Sequence, residues 1–169
     1  MRDPICAAGP APDGDDLSLF GQFVGDWVFD MVNHTPSGPQ TATGEWSFRW
    51  VLEGRAIEDV WMVPTAAERE RGAPLAGFGA TVRLYDPKSK AWRVSWNGVT
   101  AGVVYVFEAR RIGDEIVLER HDAEAIERWI FSGVTPDSFA WRAVSSKDGG
   151  ASWELQQEFA VRRRSAVAV

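Results

Sequence analysis

The stretch that decides the fold is 43-TGEWSFRW-50, in which every second side chain from Trp46 onward is aromatic. Trp46, Phe48 and Trp50 fall on one face of an extended chain, and the polar residues between them fall on the other. Alternation with a period of two is typical of a β-strand that buries one face and exposes the other. We therefore predict a half-buried strand here, with its aromatic face toward a core.

Similar short segments precede and follow this one, and glycine, proline and aspartate residues separate them. The clearest hairpin joins 78–85 to 91–96 through Pro87, whose ring presets φ for a turn. A short helix is predicted over 17–24, with Asp16 as its N-cap. The complete set of predicted strands is 27–32, 43–50, 56–63, 78–85, 91–96, 103–109, 115–120, 126–134, 139–145 and 153–162.

Many short strands joined by short turns predict an all-β protein. We predict an up-and-down antiparallel β-barrel of about ten strands with a short N-terminal helix, because consecutive hairpins run from end to end. A β-sandwich is the alternative, although no segment looks like a Greek-key crossover. In this interpretation residues 1–16 are a flexible leader, residues 17–163 form one barrel domain, and residues 164–169 are a tail.

Composition excludes several classes of function. The 169 residues carry a net charge of −6, which argues against nucleic acid as a partner because phosphate binding needs a basic face. One cysteine, Cys6, and two histidines give neither a disulfide framework nor a cysteine- or histidine-rich metal site. No apolar run approaches the roughly 20 residues of a membrane span. We expect a cytoplasmic protein without metal or cofactor, and a homodimer is left open.

Two sets of residues resemble known barrels. The element 25-GDW-27 resembles the Gly-x-Trp start of calycin barrels, the lipocalin and fatty-acid-binding-protein-like group. In that group the tryptophan closes one barrel end beneath an arginine of the last strand, so the resemblance implies a pairing of Trp27 with Arg162 or Arg163. The resemblance covers roughly residues 19–163 and implies a calycin-like domain over 17–163.

The second set of residues resembles bacterial lipocalin-like proteins of the DUF1579 type. It runs from 83-RLYDP-87 through 128-RWIF-131 to 148-DGGASW-153. These families share a barrel more than a chemistry, so the resemblance implies a fold and says little about a reaction.

The nine tryptophans are the main functional signal. A barrel of eight to ten strands can enclose a cavity for a small ligand when side chains do not fill it. For any single indole, packing in the core or at a barrel end is the alternative. Eight indoles are hard to pack without gaps, so we expect a cavity for an apolar, aromatic ligand. The predicted tryptophan walls are Trp46, Trp50, Trp61, Trp96 and Trp141.

Polar side chains near one mouth of the barrel complete the predicted ligand site. Trp96 and Asn97 point to opposite faces, so Trp96 is expected inside and Asn97 at the rim. Tyr105 opens the next strand, and Arg128 stands in a later one; both are predicted ligand contacts. An exposed position or a structural ion pair is the alternative for the charged residues.

Glu119 and His121 share a strand face and are the predicted catalytic pair, since histidine titrates near neutral pH. The alternative is an exposed histidine at a strand end. No nucleophile motif accompanies the pair. The last two strands carry no histidine, which disfavours haem.

Three functions follow as hypotheses. The first is a small-molecule-binding protein that holds an apolar, aromatic ligand or a natural-product intermediate. The second is a cofactor-free cyclase, isomerase or lyase that uses the barrel cavity as its active site. The third is an interaction module without a ligand, acting through a strand edge or a dimer face. An enzyme needs an acid or a base inside the cavity, and a carrier does not.

Overall fold

A computed structural model describes residues 6–164 and shows one antiparallel sheet that closes on itself. Each strand pairs with the next along the chain, and the last strand pairs with the first. The predicted up-and-down barrel of about ten strands is confirmed, and a two-sheet sandwich is excluded. The strands are β1 (Gly25–Thr35), β2 (Gly38–Val51), β3 (Ala56–Val63), β4 (Gly77–Asp86), β5 (Ala91–Gly98), β6 (Val103–Ile112), β7 (Glu115–His121), β8 (Ile126–Ser132), β9 (Ser138–Ser146) and β10 (Glu154–Arg163).

The strand bounds follow the predicted ones closely, and β3 has the predicted limits. The largest difference is at the start of β2, which begins at Gly38 and not at residue 43. Residues 38–42 lack an apolar alternation, but they pair with the end of β1 as far as Thr35 opposite Gly38. Hairpin pairing therefore extends the strand beyond its buried segment.

Two short helices accompany the barrel, α1 (Ser18–Gly21) and α2 (Ala66–Glu70), with a single 3-10 turn at Leu52–Gly54. The predicted N-terminal helix is confirmed but is only one turn long. Its N-cap is Leu17 and not the predicted Asp16, although Ser18 N donates to Asp16 Oδ1 over 2.9 Å. Helix α2 begins with a capping box between Thr65 and Glu68. Neither helix is long and apolar enough to cross a membrane.

The segment around α1 closes one end of the barrel. Phe20 and Phe23 are fully buried there. Trp27 Nε1 donates to the carbonyl of Phe23 over 2.6 Å, and the Arg163 guanidinium lies 4.0 Å from the centre of the Trp27 ring. The expected tryptophan–arginine closure is confirmed with Arg163, while Arg162 instead pairs on the outside of the barrel. We call this the closed end.

The N-terminal residues that the structure describes also lie against the closed end, whereas the sequence predicts a flexible leader over 1–16. Ala7 N donates to the carbonyl of Trp50 over 2.9 Å, and Ala11 N donates to that of Gly54 over 3.0 Å. Gly54 has a φ of +84°, and a side chain there would overlap the backbone of residues 9–11. Backbone contacts of this kind carry no apolar pattern. The rest of the leader, and the tail beyond residue 164, lie outside the described residues.

Candidate functional site

Five tryptophans from five strands form a continuous aromatic wall inside the barrel, which we call the indole belt. The ring centres of neighbouring members are 5.7–6.4 Å apart, and their planes meet at 62–83°. Edge-to-face contacts of this kind are favourable for aromatic rings. In the order of contact, the members are Trp46, Trp141, Trp129, Trp96 and Trp61.

The indole belt surrounds a cavity of about 150 Å³, which we call the chamber. An apolar cavity of about this size in another protein takes up benzene, whereas drug-sized ligands occupy roughly 300–1,000 Å³. The chamber therefore has room for one aromatic ring. The other side chains that line it are Thr81, Arg83, Phe131, Gln157 and Phe159.

Two glycines of β4 make room for the rings of the belt. A methyl group at Gly77 would overlap the Trp61 ring, and one at Gly79 would overlap the Trp96 ring and the backbone carbonyl of Asn97. Because both positions lack a side chain, the two indoles lie directly against the β4 backbone. The glycines thus fix the depth to which these rings enter the chamber.

A buried ion pair stands at the wall of the chamber. Arg83 on β4 is 2% exposed, Asp59 on β3 is 1% exposed, and their charged groups are in direct contact. Asp59 Oδ1 also accepts a hydrogen bond from Trp46 Nε1 over 2.6 Å. Burial lowers the pKa of Arg83 because the charged form loses its hydration. Because the guanidinium and the carboxylate are in direct contact, the pair as a whole carries no net charge.

In the sequence, Asp59 and Arg83 stand among the polar residues within apolar strands, but nothing there indicates that they pair with each other. Asp59 has the same strand parity as the buried Ile57 and Val63, and Arg83 has that of the buried Thr81. A charge at an inward position of an apolar strand is the mark of a buried polar site.

Three buried N–H groups of chamber-lining side chains have neither a hydrogen bond nor an ionic contact in the described part of the chain. They are Trp61 Nε1, Trp141 Nε1 and Arg83 Nε. Nearly all buried donors in proteins are paired, so each such exception calls for an explanation. Trp46 provides the contrast within the belt, because its N–H is paired with Asp59.

A polar hollow adjoins the chamber toward the end opposite α1, and we call it the vestibule. It shares Trp129, Trp141 and Gln157 with the chamber wall and has a volume of about 360 Å³. The predicted contact Tyr105 lies here, with the Arg120 guanidinium 4.1 Å from its ring centre. Arg120 in turn pairs with Glu127 on β8 over 2.7 Å.

Four of the predicted tryptophan walls line the chamber, namely Trp46, Trp61, Trp96 and Trp141. Trp50 does not. Its ring packs against Gly21 of α1 at the closed end, so it faces inward at the wrong depth for the chamber. Trp129 completes the belt.

Asn97 points outward beside the inward-facing Trp96, which agrees with the expected alternation. It is exposed, and its side-chain amide makes only long hydrogen bonds of 3.4 Å to the backbone carbonyls of Ala80 and Ser95. The structure does not bring Asn97 to the chamber or the vestibule.

Glu119, His121 and Arg128 come together, but on the outer face of the barrel. Arg128 Nε lies 2.6 Å from one oxygen of Glu119, and His121 Nε2 lies 2.8 Å from the other. The His121 side chain is 63% exposed, and the guanidinium of Arg128 stacks on the Trp153 ring. We therefore correct the expectation that these residues serve a ligand inside the barrel, because their strand parity turns them away from it.

The same cluster shifts the acidity of Glu119. Partial burial raises the pKa of this carboxyl, but hydrogen bonds from His121 and Arg128 and their charges outweigh burial and hold the pKa below its usual range. Glu119 is therefore ionised at neutral pH and serves as the acceptor of a surface network. Within residues 6–164, no group of three or more histidine, cysteine, aspartate or glutamate side chains is placed to hold a metal ion.

The closed ten-stranded meander with its Trp27–Arg163 end is a calycin-like barrel. A solved structure with this fold is the S-type phycobiliprotein lyase CPES from Guillardia theta, which matches with a TM-score of 0.60 and 13% sequence identity over 89% of this chain and 93% of that chain. At this identity the likeness shows the fold alone. No family model matches the chain, and no curated protein matches it. The resemblance to DUF1579-type proteins therefore stays a prediction.

Proposed function

We propose that this barrel binds a small molecule and holds one aromatic ring of it in the chamber. The observation that carries the proposal is the indole belt, since five indoles enclose an apolar space of about 150 Å³ in a barrel whose other end is packed shut. Preformed apolar hollows with a few polar groups are the usual form of ligand sites. The polar vestibule offers room for the remainder of a larger ligand.

Toluene is a suitable first probe because it is a single ring of the chamber's size. We expect wild-type protein to bind toluene, and we expect Trp96→Ala to weaken this binding about tenfold, which corresponds to about 1.4 kcal/mol. Trp96 forms part of the wall, and its loss removes ring contacts and opens the site. Isothermal titration calorimetry measures both affinities.

Two further variants provide a second test and a control for this measurement. Gly79→Ala should also weaken toluene binding, because the added methyl group drives the Trp96 ring toward the chamber. Arg128→Ala is the control, since Arg128 stands on the outer face and should leave the affinity unchanged. A folded Trp96→Ala protein with wild-type affinity would place the ligand elsewhere and overturn the proposal.

A second candidate is a cofactor-free cyclase, isomerase or lyase that uses the same chamber. It is favoured by the name of the Guillardia theta protein, a phycobiliprotein lyase, and by the ion pair at the chamber wall. Arg83 and Asp59 are the charged groups that the described residues place there. Mass spectrometry of a ligand recovered after incubation separates the two functions, because a carrier returns it unchanged and an enzyme does not.

The third hypothesis, an interaction module, keeps only one of its two forms. The strand-edge form is wrong, because the ten described strands close on themselves and leave no unpaired edge. The dimer-face form rests on exposed apolar side chains of β3, β4 and β6, which we propose meet a second copy of the chain. Sedimentation over a wide concentration range tests it, and a monomer throughout removes it. The residues concerned are Val60, Leu84, Val104 and Val106.

A further inference from the structure

We infer that the chamber selects a neutral aromatic molecule that carries a hydrogen-bond acceptor on its ring, as an aryl ketone does. The inference rests on the proposed function and names the chemistry of its ligand. It follows from the three buried N–H groups without partners and from the neutral ion pair beside them.

The buried N–H groups without partners favour a hydrogen-bond acceptor on the ligand. Trp141 is 6% exposed and Arg83 is 2% exposed, so water does not reach the N–H groups of either side chain. Together with Trp61 Nε1 they are three donors on side chains that line one chamber. A hydrogen-bond acceptor held in the chamber would give them the partner that buried donors ordinarily have.

In the part of the chain that the structure describes, buried side-chain oxygens without a hydrogen bond are fewer than the unpaired N–H groups. Among the described residues, the buried oxygen without a hydrogen bond is Asp59 Oδ2, and it is in ionic contact with Arg83. The other oxygen of Asp59 accepts from Trp46. Thr81 and Gln157 also line the chamber, and their side-chain oxygens can accept, so a donor on the ligand is tolerated but is not required.

The buried Arg83–Asp59 pair determines which ligand charge the chamber favours. Asp59 already neutralises Arg83, and both are buried. An anionic ligand would leave one uncompensated negative charge in an apolar space, and a cationic ligand would leave a positive one. The two favourable properties together, acceptors and no net charge, describe a carbonyl on an aromatic ring.

Four single-ring probes test the inference on the full chain at neutral pH: toluene, acetophenone, aniline and benzoate. They share a ring of the chamber's size and differ in having no polar group, a neutral acceptor, a donor group and a charged acceptor. We expect acetophenone to bind at least about tenfold more tightly than toluene, which is about 1.4 kcal/mol. Aniline and benzoate should both bind more weakly than acetophenone.

Two variants attribute the preference to the N–H groups. Trp61→Phe and Trp141→Phe keep an aromatic ring but remove the donor, so each should lower the affinity ratio of acetophenone to toluene severalfold. Trp92→Phe is the matched control, because this indole is buried at the closed end, against Phe20, and not at the chamber. Arg83 is left intact, since its replacement would break the ion pair.

The outcomes separate the inference from the function on which it rests. If none of the four probes binds, the proposed function itself is overturned. If toluene and acetophenone bind equally, or if Trp61→Phe and Trp141→Phe both keep the wild-type ratio, the function stands and the acceptor inference is wrong. Benzoate as the tightest ligand would overturn the neutral-ligand part.

Discussion

Asp59→Asn should lower the free energy of unfolding by about 3–5 kcal/mol, because it leaves the buried Arg83 guanidinium without its counter-charge. Both partners of the pair are at most 2% exposed, so water cannot replace the lost interaction. The substitution also weakens the acceptor of the Trp46 N–H. Urea unfolding, followed by the far-ultraviolet circular dichroism of the strands, measures the change.

Two controls test the cause of this loss. Asp30→Asn removes one partner of the exposed Arg162–Asp30 pair and should change stability by no more than about 1 kcal/mol. The double variant Asp59→Leu/Arg83→Met should be more stable than Asp59→Asn, since it removes the unpaired charge as well. An Asp59→Asn protein as stable as Asp30→Asn would show that the ion pair does not hold the barrel wall.

The second large effect is expected at the closed end. Trp27→Ala should destabilise the barrel by about 3–5 kcal/mol, as other replacements of large buried aromatics do. The indole is 1% exposed, donates to the Phe23 carbonyl and lies beneath Arg163, so one substitution removes packing, a hydrogen bond and a cation–π contact. Thermal and urea unfolding report the loss.

The neighbouring arginines supply the matched comparison for Trp27. Arg162→Ala, on the outside, should stay within about 0.5 kcal/mol of wild type. Arg163→Ala should be worse, because Arg163 also donates to the carbonyls of Pro136 and Val24 over 2.7 and 3.1 Å. An unchanged melting temperature for Trp27→Ala would contradict the role of this indole as the barrel's end plate.

Sequence patterns predicted which face of each strand is buried, but they predicted less well where a side chain lies along the barrel axis. Period-two alternation assigned Trp46, Trp61, Trp96 and Trp141 to the interior, and they line the chamber. Trp50 has the same parity as Trp46 but belongs to the closed end, because β2 spans the barrel and reaches under α1. Alternation says nothing about position along the barrel axis, which depends on pairing between strands distant in sequence.

The polar residues were harder to place for a related reason. Glu119 and Arg128 form an ion pair, but whether their face of the sheet lies inside or outside depends on which neighbours form the core. The apolar partners of β7, Ile116 and Leu118, settle it in the structure. Asp59 could not be assigned to the interior because adjacent carboxylates at 58 and 59 look alike in sequence, although only one of them points inward.

The indole belt also bears on the tryptophan fluorescence of the protein. Neighbouring rings whose centres lie 5.7–6.4 Å apart are close enough for excitation absorbed by one indole to pass to the next before emission. We therefore expect the five members of the belt to share excitation, so that their emission comes mainly from the ring with the lowest excited state. We therefore expect a quenching ligand that contacts a single member, such as an aryl ketone beside Trp141, to lower the fluorescence of all five tryptophans.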